Sequence, residues 1–146
     1  MARIRNEAAY ETAKTRLLDV GMTLIRENSF DGIGINDVLR ESGVPKGSFY
    51  HYFDTKEDFG LEVARHYHRD QLAFAKACLS DRKRSPVERL EAFFSGAREG
   101  MKDRGYAQGC LMCNLSTELA DQKPVFQAEL DRHWQALTGE LEICLR

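Results

Sequence analysis

The 146-residue sequence is poor in proline, with three in all, and strand-like alternation of apolar and polar residues is absent from it. The scarcity of proline leaves long helices unbroken, and the missing period of two argues against a sheet protein. No apolar run approaches the roughly 20 residues of a membrane span. Net charge is also lacking. Twenty-one Lys and Arg stand against 23 Asp and Glu, a balance of −2. A chain without an excess of positive charge binds a polyanion only if its cations are gathered on one face. The N-terminal Met1-Ala2-Arg3-Ile4-Arg5 has no apolar stretch behind it, so it does not read as a secretory signal, and a cytoplasmic protein is expected. In that setting the four cysteines (Cys78, Cys110, Cys113 and Cys144) are expected as reduced thiols. There is no internal repeat and no low-complexity tract.

What is present is helical spacing along nearly the whole chain. Apolar residues at Ala13, Leu17, Val20, Gly21, Leu24 and Ile25 predict a first helix from about Asn6 to Asn28. Ser29-Phe30-Asp31-Gly32 ends it with turn-forming residues. A short helix is expected from Asn36 to Ser42, with Val38 and Leu39 inward. Gly43 suits a left-handed turn residue, and Pro45 suits the first turn of a third, aromatic helix ending near Phe53. Thr55 caps a long helix reaching about Leu79, with Phe59, Val63, Tyr67, Phe74 and Cys78 near one side. Ser85-Pro86-Val87-Glu88 is a capping box with proline at the first helical position. Val87, Leu90, Phe94, Ala97 and Met101 are expected to be the buried face of the helix that follows. Gly105 to Gly109 is a loop, Cys110 to Ala120 a shorter helix, and Pro124 opens the last one, with Phe126, Leu130, Trp134, Leu137 and Leu141 on one stripe. The expected fold is all-α, with three short helices in front, a long connector, and a helical body. Residues 1–55 form one domain and 56–146 the other, the boundary falling along the connector between Lys56 and Tyr67.

Two helices joined by a tight turn at Gly43 fit a helix-turn-helix. In the second of them, Phe49 and Phe53 are four apart and would lock one face onto the preceding helices. Lys46, Ser48, Tyr50 and His51 would project from the other side, toward phosphates or base edges. Gly47 would let the backbone come close to a nucleic acid. Lys46 and Ser48 sit at the helix start, the end whose N–H groups favour phosphate.

Residues 30 to 60, with Gly43-Val44-Pro45-Lys46-Gly47-Ser48-Phe49-Tyr50-His51-Tyr52-Phe53 followed by Thr55-Lys56-Glu57, resemble the TetR-type one-component repressors. The resemblance implies a homodimer that sets two reading helices on palindromic double-stranded operator DNA. It also implies a body that binds a small-molecule effector and releases the DNA. Carried over by position, Asn36, Lys46, Gly47, Ser48, Tyr50, His51 and Lys56 match DNA-contact sites of the family. Tyr52 is a weaker candidate, and Tyr50 and Tyr52 also have a packing reading. Gly34-Ile35 departs from the family pattern, in which a threonine often caps this helix and touches phosphate; Ile35 is expected to pack inward. Arg3 and Arg5 are candidates for an arm along the backbone or minor groove. Members of the family usually carry two further C-terminal helices that build the dimer. This chain stops at Arg146, inside a predicted helix, and is expected to be C-terminally incomplete.

Cys110-Leu111-Met112-Cys113 has the C-x-x-C spacing. A zinc site would need a second ligand pair, and none follows; His66, His68 and His133 lack ligand spacing. No metal and no cofactor are expected. A thioredoxin-type motif would need a preceding strand. Cys110 instead opens a predicted helix, where the dipole favours a thiolate. The segment Gly109-Cys110-Leu111 with Asn114-Leu115-Ser116-Thr117-Glu118-Leu119-Ala120 resembles a branch of the same family whose members sense reactive electrophiles or unsaturated acids. Cys110 thus reads either as an electrophile or redox sensor or, more plainly, as a small buried residue. Tyr67, Phe94 and Trp134 are candidate lining residues of an effector pocket, and core residues otherwise. The function expected is a ligand-responsive transcriptional repressor, not an enzyme. The competing readings are a Cys-dependent enzyme, for which the sequence offers no organised base, and a helical protein-interaction module without DNA affinity.

Overall fold

A computed structural model describes residues 2–146, with side chains described from Glu11 onward. Arg3 and Arg5, the candidate arm, fall outside the described side chains. Among the described residues the chain forms seven helices and no strand: α1 (Ala2–Asn28), α2 (Ile35–Ser42), α3 (Lys46–Tyr52), α4 (Lys56–Leu79), α5 (Pro86–Asp103), α6 (Leu111–Leu119) and α7 (Pro124–Leu145). Packing divides them into two compact units, Met1–Ala64 and Arg65–Arg146, so the division falls inside α4.

The first unit is built around aromatic and aliphatic side chains from all four of its helical segments. Leu17, Leu18, Ile25, Phe30, Ile33, Val38, Val44, Phe49, Phe53, Phe59 and Val63 are buried. Gly21 allows α1 to cross α4 closely, because a Cβ there would come within 2.9 Å of Val63 Cγ2 and against the Phe59 ring. The connector starts as expected. Thr55 Oγ1 accepts the Asp58 N–H at 3.0 Å and caps α4.

The second unit has two buried clusters. Ala75, Leu79, Phe93 and Cys144 join α4, α5 and α7, with Phe74, Leu90, Leu137 and Leu141 packed around them. Leu111, Met112, Leu115 and Leu119 are fully buried where α6 meets α7, whose own buried residues include Phe126 and Leu130. The capping box of α5 forms: Ser85 Oγ accepts the Glu88 N–H, and the Glu88 carboxylate accepts the Ser85 N–H at 2.7 Å.

The expected inner face of α5 is corrected here. Val87, Phe94 and Met101 are exposed, at 64%, 61% and 38%, and Phe93 is inside instead. Adjacent helical residues lie about 100° apart, so only one of Phe93 and Phe94 can face the core. The choice falls to Phe93 because its ring stacks obliquely on Phe74, 5.8 Å away, and Gly96, one turn on, gives that same Phe74 ring room. The alternation of two phenylalanines supports either register, and only the partner helix decides between them.

Candidate nucleic-acid interface

The turn between α2 and α3 follows from three residues. Gly43 has φ +68° and ψ 11°, the left-handed conformation, and its N–H bonds the Leu39 carbonyl at 2.9 Å. An L side chain there would strain the backbone. Ser42 is buried. Its hydroxyl donates to the Leu39 carbonyl (3.3 Å) and accepts the Val44 N–H (3.2 Å), so the buried turn has its polar groups satisfied. Pro45 sits one place earlier than expected. With φ −62° and ψ 146° it is the extended residue before α3, and its carbonyl accepts the N–H groups of Ser48 and Phe49.

At the head of α2 the family's threonine is replaced by a different cap. The Gly34 N–H donates to the Asp37 carboxylate at 2.7 Å, and Arg40 closes on the same carboxylate at 2.5 Å. The Gly34 N–H and then Arg40 hold the Asp37 carboxyl below its usual range. Ile35 is half-buried, and Asn36 beside it is exposed.

The seven residues of α3 divide into two sides. Phe49 is fully buried and Phe53, just past the helix, is 2% exposed. Their rings and that of Phe59 stand 5.1–5.3 Å apart in a mutual aromatic cluster. This fixes the helix by its inner face. Lys46, Gly47, Tyr50 and His51 are exposed, and they form two i,i+4 pairs on the outer side. Ser48 and Tyr52, also four apart, are half-buried and lie along the seam. Tyr50 is 47% exposed, with its ring edge-on to Phe49 at 5.4 Å. Lys56 is half-buried at the start of α4, with its ammonium 4.7 Å from the centre of the Phe30 ring. Gly47 is helical, and a Cβ built on it meets nothing within 4 Å. Among the described residues nothing requires a glycine at that place.

Residues 1–64 carry eight Lys and Arg against eleven Asp and Glu, so this unit is itself at −3. The positive charge on the outer side of α3, that of Lys46, is therefore local, and the unit has no general positive excess.

The second unit holds a polar cluster that the sequence reading missed. Glu129 and His133, one turn apart on α7, are buried. Arg65 of α4 and Arg132 of α7 both bind the Glu129 carboxylate, at 3.0 and 2.6 Å. Burial pushes the Glu129 carboxyl up, but Arg132 and Arg65 together outweigh it and hold it below its usual range. Nδ1 of His68 faces Nδ1 of His133 at 2.5 Å. Burial, and then the neighbouring His68, lower the His133 pKa to about 4. The spacings Arg65–His68 and Glu129–His133 were the available signal, since each puts a charged group and an imidazole on one helix face.

The candidate effector residues are not gathered in one place by any cavity described. Tyr67 is buried and Phe94 points outward. Trp134 is half-buried, and its indole N–H donates to Ser116 Oγ at 3.2 Å. Cys110 is half-buried and is the N-cap residue of α6, while Cys113 is exposed. A cavity of about 540 Å³ in this unit is lined by Leu79, Ser80, Arg82, Arg89, Ile143 and Arg146, none of them a candidate. Among the described residues no three His, Cys, Asp or Glu are placed to hold a metal ion, and no helix is long and apolar enough to cross a membrane.

Comparison with known proteins agrees with this architecture. Residues 17–63 match the family described as "Bacterial regulatory proteins, tetR family", and residues 86–146 match "Tetracyclin repressor-like, C-terminal domain". The chain is 34% identical over 132 residues to transcriptional regulator AcuR of Cereibacter sphaeroides, covering 88% of this chain and 60% of that protein. It is 30% identical over 132 residues to the HTH-type transcriptional repressor DhaR of a Mycobacterium species, covering 90% and 65%. The chain thus spans 60% to 65% of the length of these curated relatives. A crystal structure of regulatory protein TetR from Rhodobacter sphaeroides superposes with a TM-score of 0.78 at 32% identity, covering 90% of this chain and 74% of that one. With its helix-turn-helix in place and its body matching as well, the chain belongs to the TetR family of bacterial regulatory proteins.

Proposed function

We propose that the protein is a ligand-responsive transcriptional repressor that reads double-stranded operator DNA through α3. One observation carries the reading. On the outer side of α3, Gly47 has open space in every direction where a side chain would go, flanked by exposed Lys46, Tyr50 and His51. A surface helix that forgoes a helix-favouring side chain without an internal reason is shaped for something that comes close to its backbone. Lys46 supplies a phosphate contact, Tyr50 and His51 reach toward base edges, and Asn36, Ser48 and Lys56 flank them. Repression is supported by the relative named as a repressor.

A single α3 on a unit of net −3 gives little electrostatic affinity, so two copies in a homodimer are needed to hold a palindromic site. The exposed apolar residues Val87 and Phe94 of α5 offer surface for association. The effector is a small molecule or a reactive electrophile taken up by the second unit, with Cys110, Tyr67 and Trp134 as its candidate contacts, while Phe94, which points outward, is left to association. The protein works in the cytoplasm, where its DNA is.

The test is binding to the promoter region upstream of the protein's own gene, measured by gel shift. Lys46→Ala and Tyr50→Ala should each weaken the complex while leaving helicity unchanged. Equal binding by both variants at low salt refutes the assignment of this face. The acidic balance of the first unit favours a second reading, a protein-interaction module, and that reading requires no shift of any promoter fragment by the wild type.

A further inference from the structure

The C-x-x-C pair is left unused by a DNA-reading role, and its place in the fold is informative. Cys110 is the N-cap of α6, with φ −72° and ψ 123°, and its carbonyl accepts the Asn114 N–H at 3.1 Å. Cys113 is three residues on. Two other helices of this chain show what such a spacing does to side chains. At the start of α4, Thr55 Oγ1 donates to the Asp58 carboxylate at 2.8 Å. At the start of α5, Ser85 Oγ donates to the Glu88 carboxylate at 2.8 Å. A cap residue and the residue three later put their side-chain tips in contact, because the extended cap folds its side chain back over the first turn.

At α6 both tips are sulfur. The Cys110 side chain makes no capping bond to the helix backbone, so its thiol is left to its neighbour. Burial pushes the Cys113 thiol up, and the Cys110 thiol beside it, by charge and by hydrogen bond, pushes it further. Cys110 is half-buried and Cys113 is exposed, so a small reagent reaches the pair from solvent. Leu111 and Met112, between the two, are fully buried in the α6–α7 contact. They hold the first turn in place and keep the thiols on its outer side.

We propose that Cys110 and Cys113 form a reversible dithiol–disulfide site that exchanges with low-molecular-weight disulfides. In the first step the Cys110 thiolate attacks one sulfur of the external disulfide. A Cys110 mixed disulfide forms and one small thiolate leaves. In the second step the Cys113 thiol gives its proton to solvent and attacks the Cys110 sulfur. The intramolecular bond forms and the second small thiolate leaves. Two protein thiols are oxidised, and one external disulfide is reduced to two thiols. Cys113 is assigned the second step because it stands three residues from the Cys110 sulfur it must reach, and because burial and the Cys110 thiol beside it push its own thiol up, which disfavours a first attack by Cys113 on an external disulfide. The site is independent of DNA recognition and stands or falls without it.

The test uses the whole reduced chain in buffers of reduced and oxidised glutathione, followed by acid quench, alkylation under denaturing conditions and peptide mapping. The tryptic peptide from Gly105 to Arg132 holds both cysteines, because Pro124 protects the bond after Lys123. It should lose two alkylation sites and two hydrogens, and regain both sites after reduction, while Cys78 and Cys144 stay alkylated. Cys113→Ser should stop at a stable glutathione adduct on Cys110. Cys110→Ser should leave Cys113 unmodified on the time scale in which the wild type completes the exchange. The proposal is overturned if the wild type accumulates the glutathione adduct, cross-links between chains, or keeps both thiols free. It is equally overturned if Cys113 alone reacts as fast as the pair.

Discussion

Replacing Gly47 by alanine should move stability and DNA affinity in opposite directions. The residue lies in the first turn of α3 with a helical backbone, and a Cβ on it touches no atom within 4 Å. Alanine therefore meets no clash and narrows the unfolded ensemble, a gain of about 0.4–1 kcal/mol. If residues 1–64 unfold as a unit, that gain raises its melting temperature by about 2–8 °C. If α3 reads DNA as proposed, the added methyl group stands in that contact. Forcing one methyl into a close-packed contact costs about 1–3 kcal/mol. That is about a 5-fold to 140-fold loss for each reading helix, and it compounds when two copies bind one site. Differential scanning calorimetry gives the first quantity, and fluorescence anisotropy on a labelled promoter fragment gives the second. A fall in melting temperature would mean that the glycine serves the fold. Unchanged affinity would mean that this face does not approach DNA.

The remaining expectations can be checked on the same preparation. The slope of log affinity against log salt should become shallower by about 1.8 when Lys46→Ala removes one phosphate contact from each of two chains; an unchanged slope takes Lys46 off the phosphates. Gly43→Ala forces φ +68° on a residue with a Cβ, and with no atom within 4 Å the cost is backbone strain alone, about 1–2 kcal/mol in urea denaturation; a smaller loss with Gly43→Asn would fit that origin. His133 titrates near 4 when folded and near 6.5 when unfolded, so between those values the unfolded chain holds the extra proton. Stability is then fully present above about pH 6.5 and falls by about 3 kcal/mol as the pH drops to 4. Circular dichroism in urea across that range should show the fall, and His133→Gln should flatten it; a wild-type curve already flat there refutes the buried neutral imidazole.

The sequence specified the helix-turn-helix almost completely, because its signals are local. Gly43 needs a positive φ, and Phe49 and Phe53 need one face. Ser85-Pro86-Val87-Glu88 announces a helix start, and all of these act within four residues of where they stand. The errors lie where two helices must choose each other. Val87, Phe94 and Met101 make a helical stripe as good as the one containing Phe93, and only Phe74 on α4 shows which is buried. The His68–His133 contact joins positions 65 residues apart, so no window along the chain contains it. Ser48 lay at the seam where an outward residue was expected, since it stands on the helix between the buried Phe49 and the exposed outer side.

The chain's single tryptophan, Trp134, is bound to Ser116 and stands 4.8 Å from the His133 ring. The second unit thereby carries a built-in optical reporter, and the first unit, with tyrosines only, carries none. A protonated imidazole beside an excited indole quenches it, so emission should dim as His133 takes up its proton. With excitation at the red edge, where only tryptophan absorbs, adding DNA to the unlabelled protein becomes a measurement of communication: any change of emission colour or brightness originates in the unit that does not contain α3.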